Sequence, residues 1–253
     1  MDELRLTVED RIATLTIDRP ARRNAMSYQM WAALPGLLAE AAATDARALV
    51  VRGTEHFSAG ADISEFATLR SGPDGARRYS DAVHAGERAI AGSPLPTVAA
   101  ITGFCIGGGC EIALACDIRL AADDARFGIT PAKLGIVYNF TSTRQLVAAV
   151  GSAWAKQILF SGDLIDASTA LRIGLVNEIY SAAELPERVA ELAGTIASRA
   201  RVSVHGAKQI VNRITVGQVA EDDDVRALYE TAVLSEEYAE GVAAFLAKRA
   251  PNF

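Results

Sequence analysis

The chain has 253 residues, of which 50% are hydrophobic and 22% are charged, and its formal net charge at pH 7 is -6. This length allows one large domain or two small ones with a sizeable core, and the acidic balance argues against nucleic acid as the main partner. No apolar run is long enough to span a bilayer, and residues 1–5 lack the basic and apolar regions of a signal peptide, so we expect a cytoplasmic protein without membrane attachment.

The first elements of the chain have clear periodic patterns. Residues 4–8 and 12–18 alternate apolar and polar side chains, which predicts the two strands of a hairpin. Ser27 is suited to cap a helix that extends to about residue 43. Residues 48–53 predict a buried strand that ends in glycine.

The next part of the chain adds a loop, a helix and two strands. Residues 68–75 contain polar residues, glycine and proline, and predict a loop before a helix that ends near Gly92. Residues 98–101 and 117–121 predict two further short strands. Strands and helices that alternate in this way favour an α/β architecture.

The pattern changes near residue 182. From there to the end, the chain is helical almost throughout, with no convincing strand. We therefore divide the chain into a strand-rich core, residues 1–180, and a helical C-terminal region, residues 181–253.

Residues 103–111 form the most informative segment. Three consecutive glycines, at 107–109, lead into Glu111 at the predicted junction between a strand and a helix. Glycines let backbone come close to a ligand, and the first N–H groups of a helix favour negative charge. The spacing fits neither the dinucleotide fingerprint nor the P-loop. An anion cradle beside a titratable carboxyl group indicates an enzyme.

Residues 57–63 form a second turn of small residues, after the predicted strand at 48–53. Alone, this segment predicts only a turn before a helix, with Asp62 as a plausible cap. Together with residues 107–111, it could offer a second backbone N–H to the same oxygen. That is the geometry of an oxyanion hole, which stabilises charge developing on a carbonyl oxygen.

The three cysteines, Cys105, Cys110 and Cys116, lie close together on an apolar segment without CxxC spacing, and the three histidines are scattered. We therefore expect no metal site. Buried free thiols in a reducing compartment are the simpler interpretation.

In the order and spacing of its motifs, the chain resembles the crotonase, or enoyl-CoA hydratase/isomerase, family over essentially its whole length. The matching segments are residues 19–26, 57–63, 103–111, 115–117, 125–128, 134–135, 159–162, 170–176 and 245–253. The resemblance implies an α/β fold in which residues 1–180 form a spiral of ββα units with an acyl-CoA site. Residues 181–253 would be a helical region that joins trimers, or pairs of trimers, and covers the CoA site.

The resemblance also implies roles for individual residues. The substrate would be a coenzyme A thioester, with no other cofactor. The backbone N–H groups of Ala61 and Gly108 would hold the thioester oxygen, and Glu111 would be catalytic. The residues expected to bind substrate or CoA are Arg22, Arg23, Ala25, Ala59, Asp62, Ile63, Thr130 and Lys248.

One departure from the hydratase pattern concerns a second glutamate, which the pattern has three residues after Phe-Gly. Here that position is Pro131, which can neither carry nor deliver a proton. Hydration as usually drawn uses two carboxylates, and general acid–base catalysis typically contributes about 100- to 10,000-fold per group. The loss should cripple hydration unless another group replaces the glutamate.

The same segment looks like the methylmalonyl-CoA decarboxylase branch of the family. That branch has Thr-Pro, Leu-Gly and Tyr-Asn at this spacing, which places Thr130 and Tyr138 in its substrate site beside Glu111, and a C-terminal lysine at Lys248. Ala61 stands where that branch has histidine, so a backbone donor remains but a side-chain role is lost. Our main expectation is therefore decarboxylation of a methylmalonyl- or malonyl-type CoA, with Tyr138 and Glu111 as catalytic residues.

Several alternatives remain open. The nearest is hydration or isomerisation of a 2-enoyl-CoA with Glu111 as sole carboxylate. An alternative of another class is a non-catalytic protein that binds CoA thioesters or RNA. The intact glycine–glutamate site argues against a loss of catalysis, and the acidic net charge argues against RNA. Tyr138 could be a core aromatic residue, Thr130 a turn residue, and Lys248 a surface charge.

Overall fold

The structure, a computed structural model, describes residues 3–253. Its strands are β1 (Leu4–Glu9), β2 (Ile12–Ile17), β3 (Ala48–Gly53), β4 (Thr97–Ile101), β5 (Phe104–Ile106), β6 (Ile118–Ala122), β7 (Arg126–Gly128), β8 (Ile165–Asp166) and β9 (Glu178–Tyr180). Its helices are α1 (Tyr28–Ala42), α2 (Phe66–Leu69), α3 (Gly72–Ala91), α4 (Gly108–Ala115), α5 (Phe140–Ser161), α6 (Ala167–Arg172), α7 (Leu185–Ala197), α8 (Arg201–Thr215), α9 (Asp223–Val233) and α10 (Glu236–Leu246). Short 3-10 helices span Pro20–Arg22, Ile63–Glu65 and Pro131–Leu134.

The N-terminal hairpin is confirmed. β1 and β2 pair antiparallel with Leu4 opposite Ile17, and the turn residues Asp10 and Arg11 adopt φ of 49° and 62°. Two such residues give a turn whose twist matches that of the flanking strands. The hairpin forms one edge of a six-stranded sheet of order β1-β2-β3-β4-β6-β9, in which all pairs after the hairpin are parallel.

A second, three-stranded sheet has the order β5-β7-β8. Its first strand follows β4 after a two-residue turn, and α4 begins directly after it. The chain therefore leaves the large sheet, forms one strand of the small sheet, and enters α4 through the glycine run.

The sheet residues alternate between two apolar layers. Val51 packs in a core cluster with Trp31 of α1, whereas its neighbour Val50 packs on the opposite face against Leu185 and Val189 of α7. Successive side chains of a strand point to opposite faces, and a parallel sheet is covered on both. α7 therefore covers one face of the large sheet, although it lies in the region from residue 181 onward.

The prediction of a loop at residues 68–75 was wrong. α2 occupies Phe66–Leu69, and α3 already begins at Gly72. Pro73 fits the first turn of α3 because the N–H that proline lacks has no partner inside a helix there. A Cβ on Gly75 would lie 2.8 Å from the Leu69 carbonyl oxygen, so glycine allows the two helices to pack closely.

Beyond α7, the described residues form three helices with connecting turns and no strand, and α8 has no buried residue. Large apolar side chains are exposed here, at Val211, Ile214, Val216, Val219, Leu234, Phe245 and Leu246. None of the helices in residues 3–253 combines the length and apolar character needed to cross a membrane.

Candidate functional site

The two glycine-bearing turns meet in space. The Met26 N–H donates to the Gly60 carbonyl oxygen (2.7 Å), and the Asp62 N–H donates to that of Met26 (2.9 Å), which fixes the first turn against residue 26. A Cβ on Gly60 would lie 2.6 Å from the Ile106 carbonyl oxygen and 3.2 Å from the Gly108 nitrogen. Glycine at position 60, which has φ of 96°, is therefore what allows the turns to touch.

The N–H groups of Ala61 and Gly108 are neighbours. A Cβ on Gly108 would lie only 3.3 Å from the Ala61 nitrogen. Neither N–H has an acceptor among residues 3–253, and that of Gly108 lies at the N-terminus of α4, where the helix dipole favours negative charge. The arrangement can hold a developing oxyanion, which is the role predicted for these two residues.

A pocket of about 160 Å³ opens at these two turns. It brings together seven of the predicted site residues: Ala59, Ala61, Ile63, Gly108, Glu111, Thr130 and Tyr138. Pro131 also lines it, so the position of the missing second glutamate is at the site.

The other predicted residues lie outside the pocket lining. The exposed Arg22 and Arg23 directly precede the buried Asn24, and the Arg23 carbonyl oxygen accepts from the Ala59 N–H (2.9 Å). Ala25 follows in the same segment, and Lys248 is exposed after α10. The predicted contacts of these residues with CoA stay predictions.

Asp62 is buried and is not among the residues that line the pocket. Its carboxylate caps the following 3-10 helix by accepting from the Ser64 N–H (3.1 Å), and it forms an ion pair with Arg19 (2.7 Å). The Ser64 hydroxyl and the Arg19 guanidinium lower the pKa of this carboxyl group. These contacts give Asp62 a local structural role in fixing the first turn.

Glu111 is the one carboxyl group among the described lining residues. It lies in the first turn of α4 with 8% of its surface exposed, and the Asn139 side-chain amide donates to its Oε1 (3.1 Å). Burial, followed by the charge of Glu87, raises its pKa to about 8. A carboxyl group with this pKa can exchange protons near neutral pH, as general acid–base catalysis requires.

Glu87 is a second buried carboxyl group, which was not predicted from the sequence. It lies on α3 with no exposed surface, and its Oε1 accepts a hydrogen bond from the Ser142 hydroxyl. Its Oε2 has no partner among residues 3–253, and burial raises its pKa. Glu87 shares a helix face with the buried residues Tyr79 and Ile90. A carboxylate on this apolar face of a predicted helix was the signal that could have revealed it.

Asn139 and Ser142 connect the two carboxyl groups. The Asn139 amide donates to the Ser142 hydroxyl (2.7 Å) as well as to Glu111, and its oxygen caps α5 by accepting from the Ser142 N–H (2.8 Å). The start of α5 therefore holds Glu111 and Glu87 in a fixed relation. Coupled carboxyl groups of this kind titrate as a pair.

The Tyr138 hydroxyl is buried and makes no hydrogen bond of normal distance and angle within residues 3–253. Burial and the neighbouring Glu111 charge hold the pKa of this phenol well above its usual value, and the phenol in turn opposes the rise in the Glu111 pKa. Tyr138 is therefore a neutral donor next to Glu111, available to a ligand in the pocket.

Two basic side chains also line the pocket, Arg70 and His84. Neither residue was predicted from the sequence. Arg70 falls in the segment that was predicted to be a loop, and His84 lies in the middle of α3. Only the packing of α2 and α3 shows that both side chains line the pocket.

Comparison with known proteins identifies the family. The model of the family described as "Enoyl-CoA hydratase/isomerase" matches residues 7–253. A short-chain-enoyl-CoA hydratase from Clostridium acetobutylicum is 36% identical over 252 residues, covering 96% of this chain and 94% of its own. A 2,3-dehydroadipyl-CoA hydratase from Escherichia coli is 33% identical over 257 residues, covering 100% and 99%.

The solved structures agree with the sequence relatives. The crystal structure of an "enoyl-CoA hydratase/carnithine racemase" from Magnetospirillum magneticum superposes with a TM-score of 0.96 at 34% identity, covering 100% of this chain and 96% of that one. The match spans both sheets and the C-terminal helices, so the expected α/β fold is confirmed. With two touching glycine turns, a buried glutamate beside them and a family match over residues 7–253, this chain belongs to the enoyl-CoA hydratase/isomerase, or crotonase, family.

Proposed function

We propose that the protein hydrates or isomerises a 2-enoyl-CoA thioester, with Glu111 as the only carboxyl group at the reacting carbons. The observation that carries this proposal is the position of Glu111 in the pocket, beside the unpartnered N–H groups of Ala61 and Gly108. The printed names of the relatives from C. acetobutylicum and E. coli, both hydratases, support the same reaction class. Our main expectation from the sequence, decarboxylation, becomes the second candidate.

Hydration needs one proton to move from water to carbon. The Glu111 carboxylate takes a proton from water while the water oxygen bonds to C3, and the electrons of the C2=C3 double bond shift to the thioester oxygen. The N–H groups of Ala61 and Gly108 stabilise that oxygen charge. Protonated Glu111 then gives its proton to C2, so that one water has been added and the carboxylate is restored.

Isomerisation uses the same groups without water. The carboxylate of Glu111 removes a proton from C4, the oxygen charge forms at the two N–H groups, and the proton returns to C2. The double bond moves from C2–C3 to C3–C4 with no change in mass. Because a single carboxyl group both accepts and returns the proton, the absence of a glutamate at Pro131 is no obstacle to this reaction.

The coenzyme A part of the substrate would lie along the exposed residues next to the first turn. Arg22 and Arg23 offer guanidinium groups suited to its phosphates, and the backbone of Ala25 and Ala59 would lie against the adenosine. Lys248 would contribute a further positive charge. The coenzyme arrives with the substrate, so no separate cofactor is needed, and the exposed apolar helices after residue 200 would join subunits into trimers or pairs of trimers.

A second candidate is decarboxylation of a malonyl-type thioester such as methylmalonyl-CoA. The unpartnered Tyr138 hydroxyl favours it, because this donor could hold the substrate carboxylate out of the thioester plane, as cleavage of the C–C bond requires. Loss of CO2 leaves an enolate for the same two N–H groups, and protonated Glu111 would supply the proton to C2. With a pKa of about 8, most of Glu111 is in this acid form at pH 7.

Mass spectrometry on a panel of acyl-CoAs separates the reactions. The panel would contain crotonyl-CoA, longer 2-enoyl-CoAs, malonyl-CoA and methylmalonyl-CoA, tested with the wild type, Glu111→Gln and Tyr138→Phe. Gain of one water on an enoyl-CoA, lost in Glu111→Gln and retained in Tyr138→Phe, is the expected result. Isomerisation appears as a product of unchanged mass and different retention time. Loss of CO2 from a malonyl-type substrate, slowed in Tyr138→Phe, would refute the proposal and establish the second candidate.

The pH dependence gives an independent test. Hydration and isomerisation begin with the Glu111 carboxylate, so kcat/KM should rise with pH through a value near 8. Decarboxylation ends with proton donation by the Glu111 acid, so its rate should fall over the same range. A rate that falls above pH 8 on an enoyl-CoA would contradict the proposed role of Glu111 as base.

A further inference from the structure

Arg70 is a positive charge without a counter-charge inside the pocket. It follows α2, is half-buried, and lines the pocket together with Glu111. Among residues 3–253, its guanidinium makes no ion pair and donates no side-chain hydrogen bond. Burial and the Glu87 charge raise the pKa of Glu111, and the Arg70 charge opposes that rise, as expected for two side chains that line one pocket.

Two aromatic rings hold the guanidinium in place. Its central carbon lies 4.5 Å from the centroid of the Phe66 ring and 5.4 Å from that of Tyr79. Stacking on rings occupies the faces of a guanidinium and leaves its N–H groups, which lie in the plane, free to bind a carboxylate in a bidentate manner. Arg70 is therefore oriented by contacts that do not use its hydrogen-bond donors.

The rest of the pocket does not neutralise this charge. Glu111 is the one acidic side chain among the described lining residues, and its pKa of about 8 leaves it mostly uncharged at pH 7. His84, the other basic lining residue, adds no negative charge, and most of the remaining lining is apolar or small. A pocket for a purely hydrocarbon acyl chain gains nothing from such an uncompensated cation.

We propose that the acyl group of the substrate carries a carboxylate, and that Arg70 binds it. This inference rests on the assignment of the pocket as an acyl-CoA site, and it narrows the substrate class to CoA thioesters of dicarboxylic acids. A bidentate pair between a guanidinium and a carboxylate in a partly buried site confers both affinity and orientation.

The alternative ligand of Arg70 is a phosphate of coenzyme A. Binding of an acyl carboxylate and binding of a CoA phosphate can be distinguished by experiment. Every acyl-CoA carries the phosphates, whereas only a dicarboxylic one carries the second carboxylate. Adipoyl-CoA and hexanoyl-CoA have acyl chains of equal length, lack the double bond and cannot be hydrated, so they report binding alone. Their dissociation constants by calorimetry therefore test the inference without any turnover.

We expect the wild type to bind adipoyl-CoA about tenfold or more tightly than hexanoyl-CoA, as charge-assisted hydrogen bonds allow. Arg70→Met should abolish this preference and leave the affinity for hexanoyl-CoA unchanged. Arg77→Met is the matched control, because Arg77 is exposed on α3 outside the pocket, and it should retain the preference. Arg70→Lys keeps the positive charge and tests whether the site is still folded, and it should retain part of the preference for adipoyl-CoA.

Three outcomes would overturn the inference. Equal weakening of both ligands in Arg70→Met would assign Arg70 to a CoA phosphate. Equal binding of both ligands by the wild type would show that the acyl carboxylate is not recognised. Binding of neither would refute the acyl-CoA pocket itself. A preference for adipoyl-CoA together with no hydration or isomerisation of trans-2-hexenedioyl-CoA would refute the proposed reaction and leave the carboxylate subsite standing.

Discussion

Replacing Glu87 by glutamine should lower the pKa of Glu111. The Glu87 charge is the second cause, after burial, of the rise to about 8, and the hydrogen-bonded pair Ser142 and Asn139 links the two carboxyl groups. Glutamine has the same shape and keeps an oxygen that can accept from the Ser142 hydroxyl. The substitution therefore removes a charge and preserves the packing around it.

The size of the effect follows from Coulomb's law. The hydrogen-bond chain limits the distance between the two carboxyl groups to roughly 8 Å, and at an effective dielectric constant of about 20 two full charges would then interact by ~2 kcal/mol. Burial raises the pKa of Glu87 as well, which opposes its ionisation. We therefore expect the pKa of Glu111 to fall by about one unit.

The assay is the pH profile of kcat/KM on the best enoyl-CoA of the panel. At pH 7, about one tenth of wild-type Glu111 is ionised, and about half would be ionised after a fall of one unit, so the rate should rise by up to about fivefold. Asp81→Asn is the matched control, because it neutralises an exposed carboxylate on the same helix, and it should leave the profile unchanged.

An unchanged profile in a folded Glu87→Gln variant would refute this reasoning. Burial alone would then set the pKa of Glu111, and Glu87 would serve only to hold Ser142. A uniform loss of activity at every pH would lead to the same conclusion, because it would indicate a disturbed α5 N-terminus rather than an altered charge.

Two further predictions concern the oxyanion donors and the titration of Glu111. Gly108→Ala should lower kcat by about a hundredfold or more, because the new Cβ would lie 2.9 Å from Trp31 Cζ2 and 3.3 Å from the Ala61 nitrogen. Gly36→Ala is the control and should leave kcat unchanged, because no atom lies within 4 Å of the new Cβ. Equal kcat values for Gly108→Ala and the wild type would show that the N–H groups of Ala61 and Gly108 do not hold the oxyanion. The pKa of Glu111 rises from 4.5 to about 8 on folding, so folded protein binds this proton more tightly and the wild type loses stability as the pH rises through this range. The free energy of unfolding of Glu111→Gln should therefore exceed that of the wild type by a few kcal/mol at pH 9, and this difference should vanish below pH 5. Denaturant unfolding of both proteins across this pH range measures the difference. A difference that does not change with pH, or that has the opposite sign, would contradict the prediction.

The features of the site that lie within one stretch of sequence were predictable. The glycine run before Glu111 and the turn at residues 57–63 each have a local signature, and the structure brings both to one pocket. Tyr138 and Thr130 were found through the resemblance to the decarboxylase branch, which has Thr-Pro and Tyr-Asn at this spacing, and both line that pocket. The local sequence pattern was sufficient to predict these features because each turn is formed by consecutive residues.

The features that depend on packing between helices were not predictable. Glu87 is linked to the site by its hydrogen bond with Ser142, which lies 55 residues further along the chain in the first turn of a different helix. Arg70 was hidden in a segment whose glycine and proline indicated a loop, because those residues serve the close packing of α2 and α3 instead. The same limit applies to Asp62, whose partner Arg19 could not be found from spacing.

The contrast between α4 and α8 has a consequence for local unfolding. Every residue of α4 is buried, whereas none of α8 is. Opening α4 would expose apolar surface on all sides, so its amides should exchange with solvent only through global unfolding, while the amides of α8 in an isolated subunit should exchange through smaller local openings. The turn that carries Glu111 should therefore exchange among the slowest parts of the molecule, and a nick or fraying after residue 200 should leave that turn folded.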